Sequence, residues 1–396
     1  SQARGFARLL SSSGAKDPAW AQGVYSPGAA WCFALQPDGK MIIGGDFVMA
    51  GGLDRTNLAR LNADGAVDAS WAPNPNDTVL ALAVSGTNII AGGNFTNIGG
   101  QARSCLAMLD STTGAASPAW NPGPNFAVSA LALDNSNLYV GGNFTQIGGQ
   151  PRNHAARLNA ATAALDAWNP DANGSVWALA ASGAVVYAAG YFNHIGGQDR
   201  NFIASLDATT GLADAGWNPS PNFAILSMTL GDSGLYVGGY FTNIGGLSRN
   251  YLAKLDPATG EADPAWNPNP NEAIWALATS AGAVFAGGQF SSIGGAGREH
   301  SAKLNPGTGC ADPLWTISAN NIVRALAVSG IKLLAGGDFA QLGNLPRIGF
   351  GVIATAHPSQ SDARFINDFD GDGITDLTIY DSTLGAWYIY SAARNQ

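Results

Sequence analysis

Short apolar stretches with a period of two recur along the chain. Ile274-Trp275-Ala276-Leu277-Ala278-Thr279 is one, Ala283-Val284-Phe285-Ala286 a second and Leu252-Ala253-Lys254-Leu255 a third. Each is four to six residues long and is bounded by Gly, Pro, Asn or Asp, the pattern of short strands joined by turns. The stretch 152–169 is different: it is rich in Ala, has no Gly or Pro, and in isolation reads as a helix. It falls in register with 251–267, which contains Pro257 and Gly260, so it is expected to be a strand hairpin too. No apolar run approaches the ~18 residues of a membrane-spanning helix.

The strands belong to a long repeat. Gly-Gly-x-Phe recurs with its Phe at 47, 95, 144, 192, 241, 290 and 339, spacings of 48 or 49 residues; the fourth copy has Ala189 for the first glycine. Arg lies eight residues after each Phe, at Arg55, Arg103, Arg152, Arg200, Arg249, Arg298 and Arg347. A Trp recurs at 20, 71, 120, 168, 217, 266 and 315, preceded by three residues by Asp17, Asp68, Asp214, Asp263 and Asp312 in five copies. Asn-Pro-x-Pro-Asn or a relative of it follows. One four-stranded sheet cannot cover both of its apolar faces, whereas sheets stacked around an axis cover each other and leave only short edges. The expected fold is therefore all-β: a seven-bladed β-propeller of ~49-residue four-stranded repeats. The seventh unit lacks a Trp-bearing fourth strand, and Asp17–Trp20 matches one, so the N-terminal strand is expected to close the ring. The expected domains are a propeller over 1–357 and a distinct tail over 358–396.

Composition narrows the class. Glycine is 52 of 396 residues and charged residues are only 12%, which excludes a coiled coil or helical bundle. A net charge of -9 without a Lys/Arg cluster gives no footprint for nucleic acid. Three cysteines, Cys32, Cys105 and Cys310, are too few and too scattered for a disulfide framework. Few charges and abundant Asn, Gly, Ser and Thr point to a secreted or cell-surface protein.

The segment 36–47 (Gln-Pro-Asp-Gly-Lys-Met-Ile-Ile-Gly-Gly-Asp-Phe), continuing through Arg55 to 58–65 and Asp68, resembles the delta-sixty-type repeat. That resemblance covers about residues 30–355 and implies a bacterial β-propeller, most members of which have no assigned function.

The tail departs from the repeat. Residues 368–376 read Asp-Phe-Asp-Gly-Asp-Gly-Ile-Thr-Asp. Carboxylates on alternate residues of a tight turn can aim at one cation, with glycines permitting the turn. Asp368, Asp370, Asp372 and Asp376 are the candidate Ca²⁺ ligands, with the Ile374 carbonyl as a fifth. Position 12 of the loop is Ile379 rather than Glu, so this is no helix-loop-helix hand. With the strands that follow, the tail resembles a single FG-GAP-type, integrin-like repeat. Leu377, Ile379, Tyr380, Trp387, Tyr388 and Ile389 make both faces of the ensuing hairpin apolar, and a lone hairpin is marginal in water.

The repeat positions read as structural before they read as chemical. The seven arginines are expected to be hydrogen-bond donors, with the Asp before the Trp as partner, and the seven tryptophans to pack between blades or under the Asn-Pro turns. Trp31, Trp177 and Trp275 lie in first strands and read as core. His154 and His300 share a position with Cys105, Phe202 and Tyr251, and that variability points to a surface or rim position rather than a site. No Ser-His-Asp grouping or zinc spacing is present, and no catalysis is expected. The leading expectation is a structural propeller that self-assembles as an oligomer or filament through its terminal segments. Its assembly residues are Phe6, Leu9 and the tail's six apolar side chains, because 6–10 and 349–353 both read as one third strand. The alternative is an adhesion propeller that binds a glycan or a surface protein through loops bearing Phe126, Phe223 and Tyr251. A polysaccharide hydrolase or lyase is the weakest expectation.

Overall fold

The computed structural model describes residues 24–25, 28–280, 282–330, 332–343, 345–354, 377–381 and 386–390. The chain divides into two units, 1–353 and 354–396.

The larger unit is built from one module used repeatedly. In the module that begins with Ile274–Ser280, that strand pairs antiparallel with Ala283–Gly288, which pairs in turn with Ser301–Leu304. A two-residue ribbon, Ser292–Ile293 against Ala296–Gly297, links the second strand to the third. The same order recurs in modules whose first strands are Ala30–Leu35, Val79–Ser85, Val128–Asp134, Ser175–Ser182, Ile225–Gly231 and Val323–Ser329. Numbered along the chain, these are modules 1 to 7, with Ile274–Ser280 opening module 6. The Ala-rich stretch in module 3 forms a strand, Ala155–Asn159, and a turn. Its tight turn holds Ala163 at φ 61°, where modules 2, 4, 5 and 6 have Gly114, Gly211, Gly260 and Gly309.

The expected fourth strand is much shorter than four residues. Among the described residues it is one isolated bridge in each of modules 1 to 6, such as Leu255↔Ala262 and Leu304↔Ala311. The repeat arginine cuts it short by taking its carbonyls. Arg249 Nη2 donates to the carbonyls of Asp263 and Pro264 at 2.9 and 3.1 Å, and Arg200 does the same to Asp214 and Ala215. The Asp three before the Trp is thus the partner expected, but it accepts through its backbone carbonyl and not its carboxylate. Arg55, Arg103, Arg152 and Arg298 follow the same scheme. The Asp carboxylate is used by a third-strand cation instead: Arg60–Asp68 at 2.8 Å, Lys254–Asp263 at 3.0 Å and Lys303–Asp312 at 2.9 Å.

Packing between modules rests on the repeat Trp. Trp71, Trp120, Trp168, Trp217 and Trp266 are almost completely buried. Each lies in the core of the following module; Trp266, for example, packs with Val284, Ala286 and Phe290. Its Nε1 donates to the Asn305 carbonyl at 3.1 Å, and Trp71, Trp120 and Trp168 make the equivalent bond. The last residue of Asn-Pro-x-Pro-Asn is a second fastener. Asn222 Oδ1 accepts from the Thr242 and Asn243 backbone N–H groups, and Asn76, Asn125, Asn173, Asn271 and Asn320 do likewise in their modules. The Gly-Gly pair has two separate reasons. A Cβ on Gly238 would meet the Ile274 side chain of the next module, whereas one on Gly239 would collide with the Ala224 carbonyl. The first site therefore accepts Ala189 in module 4, packed against Ile225.

Module 7 lies against module 1. Phe33 and Phe350 have ring centroids 5.6 Å apart, Ala30 packs with Leu334, and Ala30 N–H donates to the Gly349 carbonyl at 3.4 Å. Phe350–Ala354 takes the third-strand slot of module 7. Asp17–Trp20, Phe6 and Leu9 lie outside the described residues. In the smaller unit, Leu377–Asp381 pairs antiparallel with Ala386–Tyr390, from Leu377↔Tyr390 to Asp381↔Ala386. The Ca²⁺ loop, with Asp368, Asp370, Asp372, Ile374 and Asp376, lies outside the described residues. No helix among the described residues is long and apolar enough to cross a membrane.

Candidate binding site at the mouth of the axial cavity

First strands from all seven modules line one cavity of about 780 Å³. Its walls are small or aliphatic: Ala81, Ala130, Ala178, Ala276 and Ala325, with Leu82, Leu131, Leu179, Leu277 and Leu326. Its mouth is different, and a backbone irregularity makes it so. Every first strand has a β-bulge at its second or third residue, between Ala30 and Cys32 in module 1 and between Ile274 and Ala276 in module 6. The same shift occurs in the other five. A bulge breaks the two-residue alternation and re-aims one side chain. The bulged residues are Trp31, Leu80, Ser129, Trp177, Leu226, Trp275 and Arg324, and all of them line the cavity.

Trp31, Trp177 and Trp275 are consequently not core, as period-two alternation had suggested, but half-buried at this mouth. They join a continuous aromatic belt. Trp177 stacks near Tyr191 with centroids 6.1 Å apart, Tyr191 meets Phe223 at 6.3 Å, Phe223 meets Tyr240 at 6.2 Å and Tyr240 meets Trp275 at 6.0 Å. Phe202 backs the belt, stacked on Phe223 at 6.0 Å. Tyr191 is 54% exposed and Phe223 47%. Burial pushes the Tyr240 hydroxyl above its ordinary pKa, so it stays a neutral donor.

Arg324 continues the belt. Its guanidinium lies 4.7 Å from the ring centroids of both Trp31 and Trp275, a cation–π sandwich that joins modules 6, 7 and 1. Asp338 accepts from Nε at 2.9 Å and from Nη2 at 2.6 Å, so the charge is matched by a carboxylate. Nη1 donates to no other described residue. Gln289 accepts from Trp275 Nε1 at 3.2 Å and fixes that ring.

Asp338 and Gln289 occupy the variable position of Gly-Gly-x-Phe, as do Asp46, Asn94, Asn143, Tyr191 and Tyr240. Phe202 shares its register position with Asn57, Cys105, His154, Tyr251 and His300, and all six adopt a left-handed φ of 58–63°. The expected rim position is thus a strained loop residue in modules 1 to 6, of the kind found at functional sites, and Gly349 in module 7. His154 and His300 point Nδ1 at the carbonyls of Gly142 and Gly288. The repeat arginines, by contrast, stay in the module edges. Of the loop residues named from sequence, Phe223 lines the cavity, Tyr251 packs into the module 6 core and Phe126 is exposed without a ring partner among the described residues. Sequence reading missed the site because its residues are those that break the repeat. The usable signal was their variation at fixed register.

The ionisable side chains among the lining residues are Cys32, Tyr191, Tyr240 and Arg324. Burial pushes the Cys32 thiol far above its ordinary pKa, so it is an inert thiol. All three cysteines are unpaired. Among the described residues no group of three or more His, Cys, Asp or Glu is placed to hold a metal.

The family described as "Domain of unknown function (DUF5122) beta-propeller" matches three segments of the chain, 36–70, 135–161 and 232–265. This supports a β-propeller repeat protein. No curated protein matches in sequence. Among solved structures, the WD40 β-propeller domain of Doa1 is similar over 86% of this chain and 97% of that one, with a TM-score of 0.58 and 10% identity. The computationally designed Ika8 protein is similar over 80% and 83%, with a TM-score of 0.53 and 15% identity. The extracellular domain of the putative one component system BT4673 from B. thetaiotaomicron gives a TM-score of 0.55 at 14% identity, and this chain covers 44% of it. At these identities the likeness is one of fold.

Proposed function

We propose that this β-propeller repeat protein is a seven-bladed, ring-closed binding module that holds its ligand, without converting it, at the aromatic mouth of its axial cavity. The carrying observation is the convergence there of residues that depart from the repeat. The bulge position holds three Trp and one Arg, while the buried seam positions hardly change from module to module. A belt of exposed rings beside a few placed polar groups is the usual make-up of a ligand site. The cavity lining holds no Asp, Glu or His for acid–base chemistry. The test is an array of glycans and surface proteins probed with the full chain. Saturable binding should be lost in Phe223→Ala and Tyr240→Ala, whose melting should stay near the parent's. Binding that survives both substitutions refutes the site.

Ring closure by Asp17–Trp20 belongs to the same proposal. The described repeat Trp residues pack into the module that follows, as Trp71 and Trp266 do, and by the same register Trp20 would pack into module 1. Deleting residues 1–22 is expected to abolish cooperative folding, seen as loss of a single calorimetric transition. A secreted or cell-surface location rests on composition.

Self-assembly through the terminal segments is a second reading, favoured by the tail hairpin. Its two strands pair only with each other among the described residues, and their residues are mostly apolar or aromatic. In that reading the FG-GAP-like tail carries Ca²⁺ on Asp368, Asp370, Asp372, the Ile374 carbonyl and Asp376. Sedimentation at high protein concentration, with and without calcium, decides it: a monomer in both conditions refutes it.

A further inference from the structure

We infer that the ligand of the axial mouth is an uncharged sugar chain, read by stacking on Tyr191, Phe223 and Tyr240 and by hydrogen bonds from the Arg324 Nη1 edge. This rests on the binding-site reading above and names its ligand class.

Charge makes the first cut. An anionic ligand needs a cation free to meet it. Arg324 is the one Lys or Arg among the lining residues, and Asp338 already holds it through two nitrogens. The other charged groups in the loops that lead into the mouth are acidic: Asp46, Asp77 and Glu272. A uronate or phosphate would meet net repulsion.

A cationic peptide is disfavoured by a different fact. The best cation–π slot, between Trp31 and Trp275, is filled by the protein's own guanidinium. Two of the three remaining carboxylates are engaged with backbone: Asp46 accepts from Ala29 N–H and Asp77 from Thr78 N–H, both at 2.6 Å.

The uncommitted features are exposed ring faces and neutral polar groups. Tyr191, Phe223 and Tyr240 present apolar area with two hydroxyls. Asn94 and Asn143 occupy the same register position as Tyr191 and Tyr240 in modules 2 and 3, and both are exposed. The mouth is thus aromatic over modules 4 to 6 and at Trp31 of module 1, while modules 2 and 3 carry exposed amides at the register position that Tyr191 and Tyr240 fill. A pyranose chain offers the complement: C–H faces for the rings and hydroxyls for amides, Tyr O–H and Nη1.

The experiment titrates the full chain with neutral glucose, mannose and galactose hexasaccharides, a hexauronate and a Lys-rich peptide, following Trp fluorescence. At least one neutral hexasaccharide should bind saturably. Phe223→Ala and Tyr240→Ala should each weaken it about tenfold or more, the size of an interface hot spot, while Leu314→Ala should not. Asp338→Asn unmasks Arg324 and should bring measurable hexauronate binding while leaving the neutral sugar within a few-fold. Preference of the parent protein for the hexauronate or the peptide, lost in Phe223→Ala, overturns the sugar class and keeps the site. Neutral-sugar binding unaffected by Phe223→Ala and Tyr240→Ala overturns the site itself. Absence of binding by every probe overturns the sugar class.

Discussion

Trp266 and Trp275 are nine residues apart and belong to opposite regions of the molecule. Trp266 is fully buried in the seam between two modules and bonds to the Asn305 carbonyl. Trp275 sits half-buried at the axial mouth, with the Arg324 guanidinium 4.7 Å and the Tyr240 ring 6.0 Å from its ring centroid. The arginines divide the same way: Arg249 ties down backbone carbonyls, whereas Arg324 lies between two rings. Seam positions repeat because every seam is the same packing problem. Mouth positions differ because all seven modules share one cavity, so sameness there has no packing value.

The sharpest test of that difference is truncation of each Trp. Trp266→Ala should cost about 3–5 kcal/mol, the usual price of emptying a large buried site, read as a fall in melting temperature. Trp275→Ala should cost about 1–2 kcal/mol, the size of one ring pair and one cation–π contact, but should weaken ligand binding. Equal stability losses would end the distinction between seam and mouth.

A smaller effect tests the electrostatics of the seam. Burial pushes the Asp68 carboxyl up, but hydrogen bonds from Ser70 and from the Arg60 guanidinium outweigh it and hold the group well below the ordinary carboxylate range. A depressed carboxyl stabilises the fold above its unfolded pKa, ~3.9 for Asp, and that contribution is lost as pH falls toward the folded value. Denaturant unfolding should show Asp68→Asn less stable than the parent at pH 6, with the gap narrowing at pH 2.5. A gap that does not change with pH would place Asp68's contribution outside its charge.

The smallest expected change is a gain. Ala163 adopts the left-handed conformation that glycine fills in modules 2, 4, 5 and 6. Ala163→Gly should stabilise by up to ~1 kcal/mol, the strain an L-residue carries there less the entropy glycine adds to the unfolded chain. A loss would show that module 3 has adapted its turn to alanine.

How much was legible follows from the same split. The seven-fold recurrence of Gly-Gly-x-Phe, Arg and Trp showed the modules and the buried seam directly, because each copy repeats the evidence. The Ala-rich stretch of module 3 was readable as strand only through that register. The Arg partner, the Asp before the Trp, was legible, but not that it accepts through its carbonyl, because a carbonyl leaves no trace in a residue list. Trp31, Trp177 and Trp275 were misread as core because alternation assumes an unbroken strand, and a bulge of one residue reverses the face. The third-strand cations Arg60, Lys254 and Lys303 were missed because they vary in kind, with Met108 and Ser205 in the same register.

The amino-acid sequence by itself determined the all-β class, the repeat and which aromatic residues every module must bury. Local chemistry suffices for that: period two, turn residues and a fixed offset recur at each copy. Only the tertiary structure decided that residues as distant as Trp31, Trp177, Tyr240 and Arg324 share one opening. Stacking sheets around an axis brings equivalent positions together, and the bulge then turns one side chain per module toward that axis. Neither the stacking nor the bulge is written in any single repeat.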